Sequence, residues 1–264
     1  MQLSTARDRL IVALDVSSPD TALELVRQLR DHTGCFKVGL QLYTAAGPNL
    51  IKKILQSGSR VFLDLKLHDI PNTVAKAATE SARLGVHMIT LHTLGGEPML
   101  ATTRKKLQEA SQLEGWPIPK LLGVTVLTSM DQNALASVGI DSTVDLQVLR
   151  LAQSAQRCGL DGVVCSAREL GMLRKQGLQK LLFVTPGIRS TTSASQDQIR
   201  TATVSQALKL GADYLVVGRP VIQAPDPVKA AEAIVEEIFV AIWPDFPIPL
   251  KTTFPLHSLK TSIA

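Results

Sequence analysis

Eight short apolar runs, each followed by a stretch of helical spacing, constrain this chain more than any other feature. The runs fall at residues 10–16, 35–40, 60–63, 87–92, 120–128, 162–166, 181–185 and 214–220. They are rich in Val, Ile and Leu and are apolar throughout rather than alternating, as expected of strands buried on both faces of a parallel sheet. Between them, Ala22, Leu25, Val26 and Leu29 share one helical face, with Ser18 placed to cap that helix and Pro19 at its first position. A weaker helix is expected over about residues 49–56, and one containing Val74, Ala77, Ala78 and Leu84 begins at Pro71 and stops at Gly85. Val144, Val148, Leu151, Ala152 and Ala155 mark another, closed by Gly159, and Val228, Ala231, Ile234, Val235 and Ile238 mark the last. Eight strand–helix units predict a closed (β/α)8 barrel (TIM barrel), with a doubly wound open sheet as the alternative.

The length of 264 residues suits one barrel domain, assigned to residues 1–242. From Trp243 onward, Pro244, Pro247, Pro249 and Pro255 interrupt any helical period, so residues 243–264 are expected to be an extension outside the barrel. A net charge of +5 is scattered, with no basic block and few aromatics, which argues against nucleic acid and suits a small anionic ligand. Three cysteines, Cys35, Cys158 and Cys165, have no metal-ligand spacing and lie in or beside apolar runs, so buried free thiols in a reducing compartment are expected. No signal peptide is visible and no apolar run approaches the ~20 residues of a membrane span, which makes the cytoplasm the expected location.

The charged residues on strands carry the chemistry. Asp64 and Lys66, two apart at the end of the third strand, point to one face, and Asp69 follows within a turn. Asp15 and Lys37 stand on the first and second strands. Charges at the end of a buried strand are costly to desolvate unless they pair or do chemistry. Two acids and two bases from adjacent strands predict an alternating network, each neighbouring pair contributing about 4 kcal/mol of Coulomb energy at ~4 Å and an effective dielectric of ~20. A purely structural polar plug is the competing reading. Gly218-Arg219 after the eighth strand and Gly187-Ile188-Arg189 after the seventh have the form of a barrel phosphate site. Thr128 and Ser129 are read equally as ligand contacts or as a turn, and Gly95-Gly96 as a loop device. His68 and His92 have no partners at ligand spacing, so hydrogen-bonded packing roles are favoured over metal or acid–base roles.

The string Asp64-Leu65-Lys66-Leu67-His68-Asp69-Ile70-Pro71-Asn72-Thr73 closely resembles the signature of the orotidine 5′-monophosphate decarboxylase family. Ala13-Leu14-Asp15, Lys37-Val38-Gly39, Leu127-Thr128-Ser129, Thr185-Pro186-Gly187-Ile188-Arg189, Asp197-Gln198-Ile199-Arg200 and Val217-Gly218-Arg219-Pro220 extend the resemblance over nearly the whole chain. It implies a homodimeric, cofactor-free, metal-free barrel enzyme that makes UMP from orotidine 5′-monophosphate. It further implies that Lys37, Asp64 and Lys66 form the charged array, with Asp69 and Thr73 supplied by the other subunit. Asp15 and Lys37 would hold the ribose, Ser129 the pyrimidine edge, and Arg189, Gln198, Gly218 and Arg219 the phosphate. The proline-rich tail has no counterpart in the compact bacterial pattern, and the polar loop at residues 190–198 is unusual in composition.

The D-x-K-x-x-D core alone is shared by sugar-phosphate decarboxylases of the same barrel suprafamily, which use a divalent metal held by additional acids. No extra strand-end Glu is evident here, and the H-D-I-P-N-T continuation argues against that reading. A non-catalytic nucleotide-binding barrel would keep Gly218 and Arg219 but has no need of both Asp64 and Lys66.

Overall fold

The computed structural model describes residues 2–188 and 201–245. Among them are eight parallel strands: β1 (Leu10–Ala13), β2 (Cys35–Gly39), β3 (Val61–Leu67), β4 (Met88–His92), β5 (Lys120–Val124), β6 (Gly162–Val164), β7 (Leu182–Thr185) and β8 (Tyr214–Val217). They close into a barrel in chain order, and β1 pairs with both β2 and β8, so the open-sheet alternative does not hold. The helices are α1 (Gln2–Asp8), α2 (Pro19–Leu29), α3 (Leu40–Gln56), α4 (Pro71–Arg83), α5 (Gly96–Glu114), α6 (Gln132–Ser137), α7 (Val144–Arg157), α8 (Ala167–Lys175), α9 (Val204–Lys209), α10 (Arg219–Ile222) and α11 (Pro227–Ile242).

Local chemistry accounts for the helix ends. The Ser18 hydroxyl accepts from the Thr21 N–H at the start of α2, and Thr143 and Asp131 cap α7 and α6 in the same way. Ser166 and Glu169 form a reciprocal capping box that lets Glu169 lie almost fully buried. The expected apolar faces of α2, α7 and α11 turn inward against the outer surface of the barrel.

Three elements depart from expectation. Helix α3 begins at Leu40 rather than near residue 49, because Gly47 (φ 59°, ψ −162°) and Pro48 kink the helix instead of delaying it. Strand β5 ends at Val124 rather than at 128; beyond it the Thr125 N–H and hydroxyl both donate to the Val164 carbonyl and hold the chain to β6. The polar start of the chain forms α1, which buries Ala6 and packs on α11. At the other end Trp243 packs its ring 5.4 Å from that of Phe239, and residues 246–264 of the expected extension lie outside the described residues.

A second apolar cluster fills the barrel itself. Ile11, Ala13, Cys35, Phe62, Met88, Leu122, Val184 and Val216 come from seven different strands and close the lumen below its C-terminal mouth. Burial pushes the Cys35 thiol up to about 12, so it serves as a small hydrophobe.

Candidate active site

The period of two along each strand stacks a polar layer on this apolar floor. Lys37 follows Cys35, Asp64 follows Phe62, Thr90 follows Met88 and Asp15 follows Ala13, each two residues toward the C-terminal mouth. The mouth opens into a cavity of about 620 Å³ whose wall includes Asp15, Lys37, Asp64, Lys66, Thr128, Gly218 and Arg219.

Four of the predicted charges meet as an alternating chain. Lys37 Nζ donates to Asp15 Oδ1 at 3.0 Å and lies 3.8 Å from Asp64 Oδ2. Lys66 Nζ is 3.0 Å from both oxygens of Asp64. Asp64 and Lys37 are the buried members, each with its side chain 12% exposed, whereas the Asp15 side chain is 54% exposed. Two acids and two bases in contact cancel in net charge, which limits the desolvation cost of sinking Asp64 between lysines. Gly39 and Gly218 keep room for this chain. A Cβ on Gly39 would sit 3.2 Å from Lys37 Nζ, and one on Gly218 would sit 3.2 Å from Asp15 Oδ2.

Simple alternation is not how Asp64 and Lys66 come to share a face. Leu63 pairs with Ile89 and Leu67 with Leu91, so the three residues Asp64, Leu65 and Lys66 stand opposite the single residue Thr90. This double bulge gives Lys66 a φ of 51°, the only positive φ at a non-glycine among the described residues. A lysine there costs about 1–2 kcal/mol, held by surrounding contacts. Its N–H, displaced from the regular ladder, donates to Thr90 Oγ1 at 2.8 Å, and the Thr90 hydroxyl donates to Asp64 Oδ1 at 3.0 Å. Thr90 is fully buried and was not singled out in the sequence, where it reads as one more β-branched strand residue.

The remaining predicted residues are placed unevenly. Thr128 lines the cavity, while Ser129 is exposed in the turn that follows and is not part of the cavity wall. Gly218 precedes α10, and Arg219 is its first residue, at the cavity edge after β8. Gly187 and Ile188 line the same edge, but Arg189 and Gln198 fall outside the described residues. Asp69 and Thr73 are exposed on the rim and do not join the array; Asp69 Oδ1 accepts from the Ile70 N–H at 2.6 Å. Gln223, at the end of α10, also lines the cavity and was missed, since nothing but its closeness to Arg219 marks it.

The hydrogen-bonded packing expected of His68 and His92 is replaced by ring stacking, with His68 itself exposed. Their rings stack with centroids 5.1 Å apart, and His92 Nδ1 is buried without a hydrogen-bond partner among the described residues. Burial foremost, then the neighbouring His68 and Lys66, holds the His92 imidazole below its ordinary protonation range. Gly95 serves the same packing, because a Cβ there would strike the Met99 sulfur and approach the His68 ring. Cys35 and Cys165 are buried thiols outside any disulfide, but Cys158 is only partly buried, at the foot of α7, where its thiol donates to the Glu97 carbonyl. No group of three or more His, Cys, Asp or Glu side chains among the described residues is arranged to hold a metal ion, and no described helix is long and apolar enough to cross a membrane.

A closed (β/α)8 barrel with a charged array at the C-terminal ends of its strands has the architecture of a barrel enzyme. The chain belongs to the orotidine 5′-phosphate decarboxylase / HUMPS family, whose model matches residues 8–234. It is 48% identical over 240 residues to an orotidine 5′-phosphate decarboxylase of Syntrophotalea carbinolica, covering 91% of this chain and 98% of that protein. A Geobacter sulfurreducens protein of the same name is 47% identical over 238 residues, covering 90% of this chain and 99% of the relative. The crystal structure of orotidine 5′-phosphate decarboxylase from Lactobacillus acidophilus superposes with a TM-score of 0.76 at 39% identity, covering 87% of this chain and 98% of that one.

Proposed function

We propose that the chain is a carboxy-lyase that converts orotidine 5′-monophosphate to UMP and CO2, the closing step of UMP synthesis, without metal or cofactor. The observation that carries the reading is the Asp15–Lys37–Asp64–Lys66 chain, set in the D-L-K-L-H-D-I-P-N-T string and facing the cavity.

The chemistry follows from the charges. The bond between ring carbon six and the carboxyl carbon breaks, CO2 leaves, and the electron pair stays on carbon six. That carbanion-like centre has no electron sink in the ring, so it needs a cation beside it. Lys66 supplies the positive charge and then gives its proton to carbon six, to be reprotonated from solvent. Held by Asp64 before substrate arrives, Lys66 needs little reorganisation at the moment of reaction. Asp64 lies against the departing carboxylate and, with Lys37, fixes the lysine. Asp15 and Lys37 hold the ribose hydroxyls, Thr128 on the cavity wall and Ser129 from the turn just outside it the pyrimidine edge, and Gly218 and Arg219 the phosphate, with Arg189 and Gln198 as further phosphate ligands. The phosphate is remote from the bond broken, so its binding energy serves to assemble the site.

The working molecule in this reading is a cytoplasmic homodimer in which Asp69 and Thr73 complete the partner's site. Their exposure on the rim of the mouth, clear of their own array, supports that arrangement. Residues 243–264 are an extension to a catalytic barrel formed by residues 1–242. The test is loss of orotidine 5′-monophosphate absorbance with purified protein after exhaustive chelation. Full activity is expected; activity that disappears with the metal would favour the sugar-phosphate decarboxylase reading instead.

A further inference from the structure

We infer that Thr90 is a positioning residue for this decarboxylation, one hydroxyl fixing both the backbone of Lys66 and the carboxylate of Asp64. The inference rests on the function proposed above.

A residue opposite a double bulge has an unusual task. In a regular parallel pair each N–H directed at the neighbouring strand finds a carbonyl there. Here β3 places three residues against Thr90 alone, and the N–H of Lys66 would be stranded in a partly buried position. A threonine hydroxyl offers one proton and two lone pairs. The Lys66 N–H can only donate, so it takes a lone pair at 2.8 Å. The hydroxyl proton is thereby left for Asp64 Oδ1 at 3.0 Å, and an ionised carboxylate can only accept. The same Oδ1 also accepts from Lys66 Nζ at 3.0 Å. Backbone and side chain of Lys66 are thus tied into one ring of hydrogen bonds through Thr90 and Asp64.

The ring has a chemical consequence. With φ at 51°, Lys66 occupies a conformation that its own backbone disfavours. Removing the Thr90 acceptor frees the bulge to relax, and the ammonium moves with it. Thr90 has no exposed surface and is not among the cavity-lining residues, so it acts through Lys66 and Asp64 rather than on substrate. Its loss therefore falls on the chemical step more than on binding.

Steady-state kinetics with orotidine 5′-monophosphate, beside calorimetric UMP binding, test this in wild type, Thr90→Ser, Thr90→Val and Thr90→Ala. Valine keeps the shape and removes the hydroxyl. It is expected to lower kcat by about tenfold or more while KM and UMP affinity stay within about threefold. Serine keeps the hydroxyl and is expected to stay within about threefold of wild type in kcat. If the valine variant fails to fold by thermal melting, serine and alanine decide, because they differ only in the hydroxyl; alanine is expected about tenfold or more below serine. Equal kcat in serine and alanine, a valine variant as fast as wild type, or a change confined to KM would overturn the inference. A wild-type protein that leaves the substrate intact would instead overturn the proposed function, and the wild-type arm alone reveals that outcome.

Discussion

Lys66 Nζ lies 3.0 Å from each carboxylate oxygen of Asp64, two residues back on the same strand. The pair is made by a bulge rather than by plain alternation, and the bulge is held by Thr90 from the neighbouring strand. In the proposed mechanism an entering substrate carboxylate approaches a lysine already claimed by an acid. That acid repels the substrate while it remains a carboxylate and loses the repulsion as CO2 forms. A fixed cation beside the developing carbanion suffices for the main effect.

Arg219 lines the cavity as the first residue of α10, directly after Gly218. Arg219→Ala is expected to weaken substrate binding and also to lower the rate at saturating substrate, because phosphate contacts assemble the site. Measuring kcat and KM separately checks this. A change in KM alone would reduce the phosphate to uniform binding, and unchanged values of both would remove Arg219 from the site.

Asp69 and Thr73 give the subunit prediction. If each site borrows Asp69 from its partner, the inactive variants Lys66→Ala and Asp69→Ala restore activity to each other on mixing. Each heterodimer then has one site with both residues intact and one site with neither. Random exchange of equal amounts makes half the dimers heterodimers, so recovery approaches about a quarter of wild-type activity when sites act independently. Exchange is verified with a tagged subunit. Proven exchange without recovery would return Asp69 to its own subunit.

His92 gives a pH prediction whose sign is fixed by its surroundings. Burial, His68 and Lys66 all disfavour its protonation, so its folded value lies below the ordinary 6.5. As pH falls below that value the unfolded chain takes up the proton first; the contribution of neutral His92 to stability is complete above about 6.5 and is lost as pH falls through the folded value. Titration of the histidine ring protons by NMR is expected to show a midpoint below 6.5 for His92, and His68→Asn should raise it by removing a neighbouring positive charge. A midpoint at or above the ordinary value, or a fall in the variant, would contradict this reading of the stacked pair.

The fold was legible because parallel strands buried on both faces need unbroken apolar runs, and eight such runs stand out in the chain. Asp15, Lys37, Asp64 and Lys66 were legible for the converse reason, that charges inside such runs demand partners. Thr90 was not, since a threonine in a strand signals β-propensity before it signals a hydrogen bond. Nor was the bulge, because its cause is a register shift against β4 that no local pattern in β3 records. The start of α3 was misplaced in the other direction: it was expected near residue 49, whereas the packed helix absorbs Gly47 and Pro48 as a kink and begins at Leu40.

The most direct test of the account is a single-turnover measurement of UMP formation from orotidine 5′-monophosphate with wild type and Lys66→Ala, beside calorimetric UMP binding to both. Lys66 lies 3.0 Å from Asp64, closer than Lys37 at 3.8 Å, and the mechanism gives it both the charge and the proton. The account predicts rapid conversion by wild type, and a loss of more than about 4 kcal/mol in barrier, roughly a thousandfold in rate, in the variant, with UMP binding largely kept. A variant that retained a tenth of the wild-type rate would contradict it.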